Sequence, residues 1–332
     1  MTGNFPPIQK ILILRSGALG DFILTLPAFT ALRQRYPQAA IELRTRPRHA
    51  WLALESGLAD SAADIDAAEM AELFMPHPQT NKSWPPIYEK YLSNFSLIVN
   101  YLPDPDGILT DNLRRGTQKS CITLPHRPAI GEHAADAWSR PLQSIGADDV
   151  NPAIPRLQLP ERLLRPGATM LHSLCGNRAP IVIHPGSGSA SKNWPMENFI
   201  QLADSLQHAG DWQPVFLLGE AEADWVKHWQ MPWPVIAQPD LTQAAGILTA
   251  AQLYIGNDSG VSHLAASLGI PVVALFGPSD PVEWGPRGKN VRILRAPGPE
   301  HAMAGLSVKT VLQCCEGMLM WRGEPRMDTD EH

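Results

Sequence analysis

The chain has 332 residues, 44% of them apolar and 18% charged, with a formal net charge of −6. That length is generous for one hydrophobic core and comfortable for two. The composition excludes a disordered chain, and the charge excludes the basic stripe of a nucleic-acid-binding protein.

Four cysteines, Cys121, Cys175, Cys314 and Cys315, make no C-x-x-C pair. Neither a metal nor a disulfide framework is expected, and a reducing cytoplasm fits. No basic segment leads into a long apolar run, and no stretch of about 18 apolar residues could span a bilayer. Membrane contact is therefore expected to be peripheral.

Lys10–Arg15 is a continuous apolar run, as a buried parallel strand requires. Ser16 to Asp21 is a glycine-punctuated turn. Phe22 to Tyr36 has helical apolar spacing with Pro27 inside it, and Ala40–Arg44 reads as the next strand. This strand–turn–helix–strand unit starts a doubly wound sheet. Residues 50 to 75 read as helix, short strand and helix, and Leu97–Asn100 as a strand. Pro103 to Gly116 reads as loop, Lys119–Leu124 as a strand and His133–Ile145 as a helix. Pro152 to Pro166 is proline-rich and is taken as the linker, ending near Cys175.

A second alternating unit follows. Strands are expected at Pro180–His184, Pro214–Gly219, Val235–Ile236, Gln252–Ile255 and Pro271–Phe276. Helices are expected at Met196–Ala209, from about Ala221, at Thr242–Ala250, Ser259–Leu268 and Ser307–Leu319. The economical reading is two α/β domains, each with its own parallel sheet.

Ligands of such sheets bind where strand ends lead into helix N-termini, whose free amides and dipole attract anions. Three segments have that layout. In Gly256-Asn257-Asp258-Ser259-Gly260-Val261-Ser262-His263, Gly260 lets a phosphate approach, Ser259 offers a hydroxyl and His263 lies one turn into the helix. Asp258 or Ser259 could equally be a plain helix cap. In His184 to Pro195, a Gly/Ser loop carries Lys192, suited to neutralising a diphosphate, without the spacing of a Walker loop. A flexible surface loop is the alternative. Gly17-Ala18-Leu19-Gly20-Asp21 lacks the G-x-G-x-x-G spacing, and Leu43-Arg44-Thr45-Arg46 lacks the acid that would hold an NAD ribose. Asp21 is either a helix cap or a general base.

Together these segments resemble the ADP-heptose:lipopolysaccharide heptosyltransferases, glycosyltransferase family nine. Ile13–Asp21 continuing to Thr25-Leu26-Pro27-Ala28 matches the family's N-terminal pattern. Ile183–Ser187, Lys192–Pro195, Gly256–Ala266 and Phe276-Gly277-Pro278-Ser279 match its C-terminal ones. The resemblance implies a GT-B fold, two Rossmann-like domains facing across a cleft. An acceptor-binding domain would span residues 1–165 and a nucleotide-sugar-binding domain residues 176–300. A C-terminal helix in 301–322 would pack back on the first domain.

It further implies inverting displacement at the anomeric carbon, with no metal and no cofactor. Asp21 would be the base. Lys192, Ser187 and the amides of Ser259 and Gly260 would stabilise the departing diphosphate. Asp258 and His263 would orient the donor, Glu220 or Glu222 would meet the ribose, and Leu241 would pack near the base of the nucleotide. The basic clusters Arg46 with Arg48 and Arg114 with Arg115 are candidates for acceptor phosphates, or else solvated faces.

The implied partners are an ADP-sugar donor and a lipid-linked glycan acceptor, with the enzyme in the cytoplasm or at the inner leaflet of its membrane. The competing readings are a transferase using another nucleotide sugar, a non-catalytic nucleotide-sugar binder, and an NAD-dependent oxidoreductase. The last is disfavoured by the missing fingerprint.

Overall fold

The computed structural model describes residues 8–76, 86–117, 119–125, 127–147 and 152–320. The chain divides into two compact units, residues 1–160 and 161–332.

In the first unit β1 (Lys10–Leu14), α1 (Leu19–Arg35), β2 (Ala40–Thr45), α2 (Pro47–Glu55) and β3 (Ser61–Asp64) alternate. They are followed by α3 (Pro86–Leu92), β4 (Leu97–Asn100), α4 (Ile108–Thr117), β5 (Ser120–Thr123) and α5 (Ala134–Ser139). All pairings are parallel, in the order β3-β2-β1-β4-β5, so the chain reverses its progress across the sheet between β1 and β4. The central strands are buried on both faces, which is why they read as unbroken apolar runs. One face packs Leu12, Leu14 and Ile98 against Leu73, Phe95, Leu109 and Leu113. Helix α1 runs unbroken through Pro27, burying Phe22, Leu26 and Phe29.

The second unit opens with α6 (Glu161–Cys175), β6 (Ala179–His184), α7 (Met196–Ala209), β7 (Trp212–Leu218), α8 (Ala223–Lys227), β8 (Val235–Ala237) and α9 (Leu241–Ala250). It closes with β9 (Leu253–Asn257), α10 (Gly260–Ser267), β10 (Val272–Phe276), α11 (Pro281–Trp284), β11 (Val291–Arg295) and α12 (Val308–Met320). Its parallel sheet runs β11-β10-β9-β6-β7-β8, with the reversal between β6 and β9. The doubly wound reading holds for both units.

Three expectations change. The stretch 103–116, read as loop, contains α4, whose start is fixed by Asp104: its carboxylate accepts from Leu109 N at 3.0 Å and Thr110 N at 2.8 Å. The expected linker contains α6, so the unit boundary lies at 160/161 rather than between 165 and 176. Helix α6 belongs to the second unit because it crosses α9 backbone to backbone: a Cβ on Gly246 would lie 2.1 Å from Leu164 O, and one on Gly167 2.2 Å from Gln243 O. Strand β11 extends the sheet beyond β10. Helix α12 buries Val311 and Cys315 in the second unit's core beside α7, β9 and β10.

Candidate active site

In the second unit, the loops after β6 and β9 flank the point where strand order reverses, the usual ligand position in open α/β sheets. Asn257, fully buried at the end of β9, joins them. Its Nδ2 donates to Pro185 O at 2.7 Å, and its Oδ1 accepts from Trp194 N at 3.1 Å. One amide thus pins both ends of the loop that carries Lys192. Trp194 is in turn buried, its Nε1 donating to Leu306 O at 2.8 Å.

Lys192 Nζ donates to Asp258 Oδ2 at 2.7 Å. Asp258 is nearly buried, while the Lys192 side chain is 34% exposed, so the ammonium keeps protons facing outward. Ser279, after β10, donates its hydroxyl to the same Asp258 oxygen at 2.5 Å. Ser259 caps α10, accepting from Ser262 N. The amides of Gly260 and Val261 belong to the first turn, which a helix cannot satisfy internally. A half-exposed ammonium beside such a helix start is a charge pattern suited to a diphosphate.

Beneath this turn, Ser262 Oγ donates to Asn257 O and lies 3.1 Å from Tyr254 Oη. The Tyr254 ring occupies the space above Gly256, where a Cβ would meet Tyr254 Oη at 2.3 Å. Gly256 therefore makes room for a tyrosine. Burial pushes the Tyr254 phenol up and pulls His184, whose ring stacks at 6.5 Å on Tyr254, down to about 4. His184 is neutral at pH 7. His263 is buried one turn into α10.

The structure separates the two glutamates read together at the end of β7. Glu220 is exposed. Glu222 is buried; its Oε2 accepts from Gly219 N at 2.8 Å, and its Oε1 lies where a Cβ on Gly186 would sit, 2.1 Å away. Glu222 thus packs against the β6 loop. Ser187 is engaged within that loop, its Oγ 2.6 Å from Asn193 Oδ1. Leu241 is the first residue of α9, after β8, with Asp240 as the cap accepting from Gln243 N at 2.8 Å. Among the described residues, no three His, Cys, Asp or Glu side chains are grouped to hold a metal ion.

In the first unit, Asp21 lies in the first turn of α1 and is half-buried. Its Oδ2 accepts from Ala18 N at 3.3 Å, so it serves as a capping group while its carboxylate stays near solvent. Gly17 has φ +108°, open to glycine, and a Cβ there would meet Asp21 Oδ2 at 3.0 Å.

Sequence reasoning gave no role to Arg15. Its guanidinium is buried, 4.3 Å from the Trp138 ring, and its Nη2 donates to Asp21 O at 2.8 Å. Burial pulls it down to about 10, opposed by the Asp21 charge, so it remains a cation. Arg46 reaches the same loop, its Nη1 3.5 Å from Gly17 O, and Arg48 is exposed on α2. Arg114 and Arg115 lie in the last turn of α4, which leads to the N-terminal end of β5. Asp21 follows the C-terminal end of β1, at the opposite end of the parallel strands, so this second cluster is not brought to the Asp21 loop.

Residues 126–315 match the model of glycosyltransferase family 9 (heptosyltransferase), more than half of the chain. The chain belongs to glycosyltransferase family 9. The family 9 assignment extends across both units in the whole-chain comparisons. Lipopolysaccharide heptosyltransferase 2 of Salmonella typhimurium is 25% identical over 317 residues, covering 86% of this chain and 88% of that protein. Lipopolysaccharide heptosyltransferase 1 of Escherichia coli O18:K1:H7 is 23% identical over 339 residues, covering 93% and 97%.

Among solved structures, a family 9 glycosyl transferase from Veillonella parvula superposes with a TM-score of 0.77 at 21% identity, covering 94% of this chain and 98% of that one. Escherichia coli ADP-heptose heptosyltransferase II superposes at 0.74 and 19% identity, covering 95% and 100%. These likenesses give the GT-B fold, and the family makes the protein a glycosyltransferase.

Proposed function

We propose that the enzyme transfers a heptose from ADP-heptose to a lipopolysaccharide-core acceptor, with inversion at the anomeric carbon and without a metal ion. The observation that carries the proposal is Lys192, held by Asp258 with protons to spare beside the first turn of α10. The relatives' names supply the acceptor class, and one neighbouring structure is an E. coli heptosyltransferase with ADP.

In the transfer, an acceptor hydroxyl oxygen forms the new bond to the anomeric carbon. The bond from that carbon to the β-phosphate oxygen breaks, the acceptor proton passes to Asp21, and ADP leaves. Charge develops on the departing diphosphate, where Lys192 and the Ser259 and Gly260 amides stabilise it. Ser187 adds a hydroxyl, Asp258 and His263 orient the donor, Glu222 meets the ribose and Leu241 the adenine. Arg46 and Arg48 are the acceptor-side cations. A lipid-borne acceptor places the enzyme against the inner leaflet of the cytoplasmic membrane; none of the described helices is long and apolar enough to cross it.

The test is ADP-heptose turnover by Asp21→Ala. The chemical step should fall by about two to four orders of magnitude, with ADP affinity retained. Unchanged turnover would overturn the assignment of Asp21. Stabilisation of the wild type by UDP in preference to ADP would overturn the donor.

A further inference from the structure

We infer that Ser279 is a positioning residue of the donor site: through Asp258 it sets how readily Lys192 is released to an incoming diphosphate. The inference rests on the donor reading above.

Lys192, Asp258 and Ser279 leave the ends of three strands that are neighbours in the sheet, β6, β9 and β10. Both donors converge on one oxygen, Asp258 Oδ2, at 2.7 Å from Lys192 Nζ and 2.5 Å from Ser279 Oγ. The Asp258 carboxylate neutralises the lysine as a bound anion would. A diphosphate that engages the ammonium's remaining protons then draws it away from Asp258. The Ser279 hydroxyl alters that balance in two ways. It takes up lone-pair density on the oxygen that the lysine uses, which weakens the lysine's tether. It also fixes the carboxylate rotamer, so the ammonium is held at one place.

The loop bearing Ser279 has other anchors. Asp280 caps α11, accepting from Val282 N at 3.0 Å, and Arg295 Nη1 lies 3.6 Å from Asp280 Oδ1. Loss of one hydroxyl therefore leaves the loop in place, and the effect of Ser279→Ala is expected in ligand binding rather than in folding.

The experiment is calorimetric titration of the full chain with ADP, and with UDP and GDP in parallel. The proteins are the wild type, Ser279→Ala, Ser279→Thr, Asp258→Asn and the double variant Ser279→Ala/Asp258→Asn. Ser279→Ala should weaken binding of the preferred nucleotide about tenfold, the size of one hydrogen bond to a charged group. Ser279→Thr, which keeps the hydroxyl, should restore it.

In the Asp258→Asn background the charge that tethers the lysine is gone. There Ser279→Ala should change affinity by less than about twofold, a coupling that only a residue acting through Asp258 produces. Wild-type affinity in Ser279→Ala overturns the inference, as does a tenfold loss that persists in the Asp258→Asn background. A wild type that prefers UDP or GDP overturns the ADP donor, and the Ser279 comparison is then decided with that nucleotide. A wild type that binds none of the three overturns both.

Discussion

Asn257→Asp replaces one amide NH₂ by oxygen at a position with no exposure to water. The oxygen that receives Trp194 N is unchanged, but the new oxygen faces Pro185 O, which in the wild type is 2.7 Å from Nδ2. Two acceptors cannot share that distance unless the new carboxyl is protonated and donates. Holding a carboxyl of ordinary pKa near 3.9 neutral at pH 7 costs about 3 pH units, or about 4 kcal/mol, and at pH 5 about 1.5 kcal/mol.

The folded variant binds its proton more tightly than the unfolded chain does, so its deficit grows as pH rises above about 4. For a unit of this size the pH 7 deficit corresponds to roughly 8–16 °C in Tm. Wild type and variant are compared by thermal melting at pH 5 and pH 7, each against the other at the same pH. Equal melting at pH 7, or a deficit of the same size at both pH values, would refute the reasoning that Asn257 pins the loop through Pro185. ADP affinity of the variant should recover in step with stability as pH falls, since the same loop carries Lys192.

Two further outcomes follow from burial. Gly246→Ala should destabilise the second unit by about 1–3 kcal/mol or more, because the added methyl meets a backbone carbonyl that cannot move aside; a melting point within 1 °C of wild type, roughly the scatter expected of a neutral surface change, would contradict the close crossing. His184 is neutral in the folded state with its pKa lowered to about 4, so the unfolded chain binds more protons between about pH 6.5 and 4. Stability should fall as pH drops through that window, by up to about 3 kcal/mol from this residue. His184→Gln should flatten the fall in urea denaturation series, and an unchanged pH slope would show that the ring takes up a proton without cost.

The strands were legible because parallel strands covered on both faces need uninterrupted apolar runs, and Lys10–Arg15, Pro180–His184 and Pro271–Phe276 have them. Strand β11 was not, because Val291, Ile293 and Leu294 are only partly covered and the run is broken by Arg292 and Arg295. Helix α4 was hidden by Pro103 and Pro105, and α6 by Pro166, which lies inside it. In α4 the telling signal was Asp104, whose side chain caps the helix from several residues upstream.

At the site, the segments carrying Asp21, Lys192 and Asp258 could be named from glycine-rich turns at strand ends. Their partners could not. Asn257 and Ser279 act across strands, on Pro185 and Asp258, and Arg15 reaches across layers to Trp138; the motifs contain these residues without showing which partner each takes. The different surroundings of Glu220, exposed, and Glu222, buried over Gly186, are likewise not visible in the sequence.

The crossing of α6 over α9 also decides where the chain can be cut. Leu164 and Gly167 lie against Gln243 and Gly246 with no side chain between them. A fragment starting at residue 176 would leave that groove of α9 open to water, with its glycine backbone uncovered and the buried Leu171 and Cys175 missing. The shortest piece that carries the complete second unit starts at or before Glu161. Segmental labelling and domain exchange with another family member therefore both call for a junction at Pro160, inside the proline-rich stretch that reads like a tether.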